Sequence, residues 1–423
     1  MPRQFNTTGP SVPGQHYLLD PLSRIDLPEL EHLIAQGQYF VLHAPRQTGK
    51  TTILLALMRH LNQQGHVHAL YANIEGAQTA RHDVAAGIGA VAQVLARRAD
   101  IHLGDGRWYG WLKEAAGHNP HDVLSHLLTR WARETDGPVV LMLDEVDALV
   151  GDTLVSLLRQ LREGYDLRPA SYPLSVILCG VRDVRDYRIH TSQEGIITGG
   201  SCFNIKAASI RLGNFSPDEI HALWQQHTDD SGQVFAPEIF KALWEDTYGQ
   251  PWLVNALGHG CVWEDKTARD RATPISLERY YAARERLIQS RATHLDQLAD
   301  KLREERVRRV IAPLLLGEEL GGSAPLDDLQ YVEDLGLIRS CPQLEIANRI
   351  YAEVIPRDLT WTTQTSIPQQ LMWYLRPDGS LDMPKLLAAF QQFFRENSEI
   401  WLERFDYKEA GPHLLMQAFL QRI

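Results

Sequence analysis

Short apolar runs alternate with amphipathic stretches along the first half of the chain, and this alternation predicts its fold class. The runs typical of buried strands are residues 39–43, 68–74, 139–143 and 174–179. Residues 51–64 instead repeat Leu and Met at helical spacing, and Gly65 predicts the end of that helix. Strands that alternate with helices predict an α/β fold, in which a parallel sheet carries helices on both faces.

The second half of the chain has a different, mainly helical pattern. Ser216 caps a predicted helix whose first turn is Pro217, Asp218 and Glu219, and helical periodicity then runs to about Thr293. The next region mixes helices with short strand-like segments. We predict an N-terminal arm and first helix over residues 1–35, a core over 36–213, a helical domain over 214–293, a mixed domain over 294–360 and a helical tail over 361–423.

Composition narrows the classes of partner. The formal net charge of −11 argues against a surface built for nucleic acid, although a local basic patch stays open. The cysteines predict reduced thiols and a cytoplasmic location because they lie far apart, at Cys179, Cys202, Cys261 and Cys341. No basic start precedes an apolar segment and no apolar run could span a bilayer, so neither a signal peptide nor a membrane partner is predicted.

The segment between the first predicted strand and its helix predicts a phosphate site. Residues 44–51 fit the pattern G-x-x-x-x-G-K-[ST], except that Ala44 replaces the first glycine. Gly49 lets the backbone approach phosphates, Lys50 reaches the β- and γ-phosphates, and the Thr51 hydroxyl ligates Mg²⁺. The predicted ATP-binding residues are Ala44, Pro45, Arg46, Gln47, Thr48, Gly49, Lys50, Thr51 and Thr52. The preceding strand and following helix distinguish this segment from a chance Gly-Lys-Thr.

Two acids follow the apolar run 139–143. Ligands bind at the carboxyl ends of buried parallel strands, so Asp144 and Glu145 are predicted to join the same site. Asp144 would hold Mg²⁺, and Glu145 would polarise the attacking water because hydrolysis needs a base. A capping role on the next helix is an alternative for both acids, and it is the plainer interpretation of Asp147.

Arg182 follows the run 174–179 and is a candidate phosphate ligand. A guanidinium binds phosphate oxygens through a fork of N–H donors. The alternative is a surface ion pair, for which Asp183 and Asp186 lie close in sequence.

Four stretches together resemble the bacterial AAA-like ATPases, close to the signalling ATPases with numerous domains and to the archaeal-type ATPases. They are YFVLHAPRQTGKTT at 39–52, VVLMLDEVD at 139–147, ILCGVRDVRDY at 177–187 and GQPWLVNAL at 249–257, and the resemblance covers roughly residues 1–290. It implies a P-loop NTPase with a five-stranded parallel sheet, followed by a small helical lid over 214–293. The catalytic residues it implies are Lys50, Glu145 and, as the sensor of the γ-phosphate, Arg182. The sequence shows no arginine finger, so ring assembly is not predicted.

The domain over 294–360 resembles a winged helix, which often follows the lid in such ATPases. Winged helices that bind DNA carry a basic second helix, whereas this one contains Asp327, Asp328, Glu333 and Asp334. The charge therefore favours a protein partner over DNA.

The tail over 361–423 resembles the opening of a PD-(D/E)XK nuclease domain, in which Glu409 would be an accessory acid. The strand with Asp and Glu-x-Lys is absent, and an ordinary C-terminal helix is the alternative. If the native chain continues into a nuclease, an apolar stripe of Leu414, Leu415, Ala418 and Phe419 should lack a sheet to cover it.

These patterns predict a protein that binds ATP with Mg²⁺, hydrolyses it, and couples nucleotide state to the lid and winged-helix domains. One alternative is a slow signalling switch that retains ADP and changes partners. Another is the ATPase half of a DNA-processing nuclease.

Overall fold

The computed structural model forms two compact units, Met1–Asp230 and Ser231–Ile423. It describes residues 2–182, 208–290, 300–316, 324–359, 374, 376, 378, 380–404 and 411–422. Within these residues, no helix combines the length and apolar character needed to cross a membrane.

A five-stranded sheet forms the centre of the first unit. Its strands are β1 Phe40–His43, β2 His68–Asn73, β3 Val139–Asp144, β4 Ser175–Gly180 and β5 Ala208–Arg211, in the order β2-β3-β4-β1-β5. All neighbouring strands pair in parallel. Because β1, β3 and β4 run in parallel, their carboxyl ends lie at one edge of the sheet, where the predicted site residues follow them.

Helices cover both faces of this sheet. They are α1 Leu27–Ala35, α2 Lys50–Gln64, α3 Val84–Leu103, α4 Arg107–Glu114, α5 Val123–Glu134 and α6 Gly151–Glu163. Helix α7 Pro217–Ser231 follows β5 along the chain. One apolar cluster joins the sheet to α3, α5 and α6, and a second joins its other face to α1 and α2. The predicted α/β class, with a parallel sheet between helical layers, is therefore confirmed.

Short turns and a capped start complete the first unit. The 3₁₀ turns are Pro21–Arg24, Glu75–Ala80, Val146–Ala148 and Tyr165–Leu167. At the start of α7 the Ser216 amide donates to Glu219 Oε2 (2.7 Å), and the Glu219 amide donates to Ser216 Oγ (3.2 Å). This reciprocal capping box is why the helix begins where the sequence predicts.

The second unit is mostly helical. It contains α8 Glu238–Thr247, α9 Pro251–His259, α10 Leu277–Gln289, α11 Glu305–Leu316, α12 Leu326–Asp334, α13 Arg349–Leu359, α14 Met383–Arg404 and α15 Gly411–Arg422. A π-helical turn spans Gly260–Glu264 and a 3₁₀ turn spans Lys266–Arg269. The strands β6 Ile338–Arg339 and β7 Glu345–Ile346 pair antiparallel. Helices followed by a small antiparallel pair agree with the predicted pattern, and their assignment as a winged helix stays a prediction.

A buried polar network ties three helices of the second unit together. Tyr280 on α10 donates to Asp246 Oδ2 on α8 at 2.9 Å. Arg284 of α10 lies 3.0 Å from Asp246 Oδ1, and its Nη2 donates to Glu353 Oε2 on α13 at 2.8 Å. The side chain of Asp246 is only 6% exposed, so these partners replace the hydrogen bonds that water would otherwise make to it. The network joins residues of the predicted lid to residues of the mixed domain.

The structure shows what covers the apolar stripe of the tail. Leu414, Leu415, Ala418 and Phe419 are buried on α15. Helix α15 packs against α13 and α14, and Phe419 lies 5.7 Å from Phe390 between ring centroids. Neighbouring helices thus cover the apolar stripe in place of a sheet. The candidate acid Glu409 lies outside the described residues.

Candidate functional site

The phosphate loop connects the end of β1 to the start of α2. The Ala44 amide donates to the Gly180 carbonyl of β4 (3.3 Å), which fixes the start of the loop against the sheet. Gly49 has φ 94° and caps α2, and Gln47 has φ 59°. Only glycine adopts the first of these values without strain, so Gly49 sets the turn that leads into the helix.

Lys50 lies within this loop. Its Nζ donates to the Ala44 and Pro45 carbonyls, both at 3.0 Å, and the residue is only 5% exposed. Thr48 Oγ1 also donates to the Pro45 carbonyl at 2.7 Å. A buried ammonium whose hydrogen bonds go to neutral carbonyls, beside the N-terminus of a helix, favours an anion at this position. These groups fit the phosphates of a nucleotide.

Asp144 ends β3 and faces the first turn of α2. Thr51 Oγ1 donates to Asp144 Oδ2 at 2.6 Å, and the Tyr71 hydroxyl donates to the same oxygen at 3.0 Å. Asp144 is fully buried. Hydroxyl and carboxylate oxygens are the ligands that Mg²⁺ prefers, so Thr51 and Asp144 are suited to hold this ion.

Glu145 follows Asp144 in a left-handed conformation. Its φ is 58°, and its amide donates to Asp144 Oδ1 at 3.0 Å. Burial raises the pKa of the Glu145 carboxyl, and the nearby Asp147 charge raises this pKa further, whereas Lys50 acts in the opposite direction. A carboxylate that loses water in this way is a stronger base than an exposed one.

The sheet brings the predicted site residues to one edge. The phosphate loop follows β1, Asp144 and Glu145 lie at the end of β3, and Arg182 lies two residues after β4, which pairs with both of these strands. Arg182 is half-buried at this edge. Asp147 lies on the 3₁₀ turn beyond Glu145, beside the site.

Three contacts at the site were not predicted from the sequence. Tyr71 of β2 holds Asp144, as described above. Arg24 donates from Nη1 to the Thr48 carbonyl at 2.7 Å. The Ser11 amide of the N-terminal arm donates to Thr52 Oγ1 at 3.1 Å. No local motif marks these residues, because each reaches the site through the tertiary fold.

Comparisons with known proteins agree with this geometry. Residues 34–187 match the family model of an AAA domain. The Walker-type ATPase PABY2304 of Pyrococcus abyssi shares the fold with a TM-score of 0.58 and 15% identity, over 83% of this chain and 99% of that chain. The Aeropyrum pernix ORC2 protein, solved in ADPNP–ADP complexes, gives a TM-score of 0.48 and 15% identity, over 79% and 91% of the two chains. Curated protein sequences give no match. Residues 34–187 are thus similar to an AAA domain, and the chain shares its α/β fold with the P. abyssi protein.

Proposed function

We propose that this chain binds ATP with Mg²⁺ and hydrolyses it at the edge of the first unit's sheet. The observation that carries the proposal is the 2.6 Å hydrogen bond from Thr51 Oγ1 to Asp144, beside a lysine that is 5% exposed within its own phosphate loop. A hydroxyl, a carboxylate and a buried ammonium converge where parallel strands end, which is where such sheets bind ligands.

Each residue has a separate role in this proposal. Lys50 stabilises negative charge on the β- and γ-phosphates, and the loop amides orient them. Thr51 and Asp144 hold Mg²⁺, which neutralises phosphate charge when it is bound. Glu145 accepts a proton from the attacking water. Lys50 and the loop amides thereby stabilise the negative charge on the phosphates, and the Glu145 carboxylate acts as the base.

The proposal includes a coupling of nucleotide state to the helical domain and a protein partner. Helix α7 begins shortly after β5, and β5 pairs with the strand that carries the phosphate loop. A shift of the loop can therefore reach α7 within the first unit. Helix α12 carries no basic residue and exposes Asp327, which favours a protein over DNA as partner. Asp328 does not add to this surface, because it is buried and paired with Arg306 and Arg309. Free, buried Cys179 and Cys261 fit the proposed cytoplasmic location.

Phosphate release by the purified chain tests this function. We expect release from ATP with Mg²⁺ and none when a chelator removes the ion. Very slow, burst-free turnover with tightly retained ADP would favour the signalling switch. An absence of both nucleotide binding and phosphate release would reject the proposal.

Replacing Arg182 by alanine tests its proposed role as sensor of the γ-phosphate. We expect ATP affinity to fall about 10-fold or more while ADP affinity changes little, because only ATP offers the charge that Arg182 would pair with. Titration of both nucleotides measures the difference. Arg159→Ala, an exposed arginine on α6, is the matched control. An equal loss of ATP and ADP affinity would indicate that Arg182 forms a surface ion pair and does not sense the γ-phosphate.

Replacing Tyr71 by phenylalanine tests how Asp144 is held. The ring stays and only the donor to Asp144 is lost, and partners of this kind typically contribute about 10–100-fold to metal affinity. We expect the thermal shift produced by ATP to require correspondingly more Mg²⁺. Tyr39→Phe is the control, because it removes a buried hydroxyl that donates to the Pro173 carbonyl instead (3.3 Å). The same Mg²⁺ dependence in both variants would show that Tyr71 does not act through Asp144.

A further inference from the structure

Arg24, which precedes α1, donates hydrogen bonds to two main-chain carbonyls. Its Nη1 donates to the Thr48 carbonyl of the phosphate loop, and its Nη2 donates to the Gly213 carbonyl before α7, both at 2.7 Å. The guanidinium also stacks 4.6 Å from the centre of the Phe215 ring. One side chain therefore bridges the loop and the segment that leads to α7.

The bond to the Thr48 carbonyl fixes a particular peptide group of the loop. The Thr48 carbonyl and the Gly49 amide belong to one planar trans unit, so they point in opposite directions. With the carbonyl held by Arg24, the Gly49 N–H is directed away from Arg24. A cation on the carbonyl also polarises the peptide and makes this N–H a stronger donor.

Arg24 lies close against the loop backbone. A Cβ placed on Gly49 would lie 2.9 Å from Arg24 Nη1, so the guanidinium would have to move to accommodate a larger residue there. Burial lowers the pKa of Arg24 to about 10, with an opposing contribution from the charge of Glu219. The guanidinium therefore stays charged at neutral pH, in a position shielded from water.

We propose that Arg24 is a positioning residue of the phosphate loop, which orients the Gly49 amide towards the nucleotide phosphates and ties the loop to the segment before α7. The inference rests on the proposed ATP site. Arg24 should affect phosphate binding rather than the reaction, because it contacts the Thr48 carbonyl, on the opposite side of the peptide from the Gly49 N–H. Loss of Arg24 should thus weaken the ground state and the transition state equally, which raises KM and leaves kcat unchanged.

The test compares Arg24→Gln with Arg168→Gln. Arg168 is a matched control, because it also donates to main-chain carbonyls, such as Tyr165 O at 2.6 Å, and stacks 3.4 Å from the Tyr165 ring centre. It does so away from the phosphate loop. We expect both variants to lower the melting temperature of the ligand-free protein. Only Arg24→Gln should raise the Kd for ATP and for ADP and the KM for ATP, by roughly 10–100-fold, with kcat within about 2-fold.

Arg24→Lys provides a second variant, which keeps the charge but has a single nitrogen in place of the two that donate to the Thr48 and Gly213 carbonyls. We expect its nucleotide affinity to lie between those of the wild type and Arg24→Gln. Unchanged affinity in Arg24→Gln, or a fall in kcat at constant KM, would overturn the inference and leave a structural role. Lys50→Ala distinguishes a failure of the inference about Arg24 from a failure of the proposed function. If the wild type binds ATP and Lys50→Ala does not, an Arg24→Gln variant of normal affinity rejects only the inference. If Lys50→Ala binds normally, the proposed function itself fails.

Discussion

Replacing Lys50 by alanine should abolish the rise in melting temperature that ATP and Mg²⁺ produce in the wild type. A ligand at ~100 times its Kd adds about 2.7 kcal/mol to the stability of the protein that binds it. Lys50 donates from its ammonium to the Ala44 and Pro45 carbonyls within the loop. Without this charge the loop loses the group proposed to pair with the β- and γ-phosphates. Differential scanning fluorimetry with and without nucleotide measures the effect.

The control for this variant is Lys113→Ala. Lys113 is an exposed lysine on α4 of the same unit, so its loss should leave the ATP-induced shift intact. Lys50→Ala should also leave the melting temperature of the ligand-free protein nearly unchanged, since its hydrogen bonds go only to loop carbonyls. A full ATP-induced shift in Lys50→Ala would place the nucleotide at another site.

Replacing Glu145 by glutamine should separate binding from chemistry. Glutamine keeps the size and hydrogen-bonding shape of the side chain but cannot accept the proton of water. We expect ATP affinity close to that of the wild type and turnover lower by ~10²–10⁴-fold. Titration of ATP and phosphate release, measured on the same preparation, give the two numbers.

Glu163→Gln is the corresponding control. Glu163 is an exposed acid at the end of α6, and its substitution should change neither affinity nor turnover. Parallel losses of affinity and turnover in Glu145→Gln would mean that Glu145 holds the loop structure rather than acting as the base. Undiminished turnover would transfer the role of base to another group.

The sheet and its site edge were predictable because they depend on short, continuous patterns. The runs that became β1, β3 and β4 are almost entirely apolar, because central strands of a parallel sheet are buried on both faces. Residues that directly follow such strands share one edge whatever the connections between them. This edge predicts Lys50 and Asp144 as parts of one site without knowledge of the loops, whereas the sensor role of Arg182 comes from the family resemblance.

Contacts that depend on tertiary packing were not predictable in this way. Tyr71 alternates with other apolar residues along β2 and has the pattern of an ordinary core residue, yet its hydroxyl reaches Asp144. Arg24 lies in a short 3₁₀ turn with no motif, and its acceptors are 24 and 189 residues away in sequence. Local periodicity carries no information about such partners.

The tail is a second example in which the sequence does not identify a packing partner. Helical spacing of Leu414, Leu415, Ala418 and Phe419 identified an apolar face, but the sequence could not name what covers it. The structure covers that face with α13 and α14. An amphipathic pattern therefore predicts that a face is buried and leaves its partner open.

The central claim is that ATP binds on the loop over residues 44–51 with Mg²⁺ beside Thr51 and Asp144. A crystal structure of the Glu145→Gln variant with ATP and Mg²⁺ tests it most directly, because slow turnover keeps the triphosphate intact. The account predicts phosphates against the loop amides and Lys50 Nζ, with an ion at the Thr51 hydroxyl. Nucleotide density away from this loop, or an empty loop at saturating ATP, would contradict it.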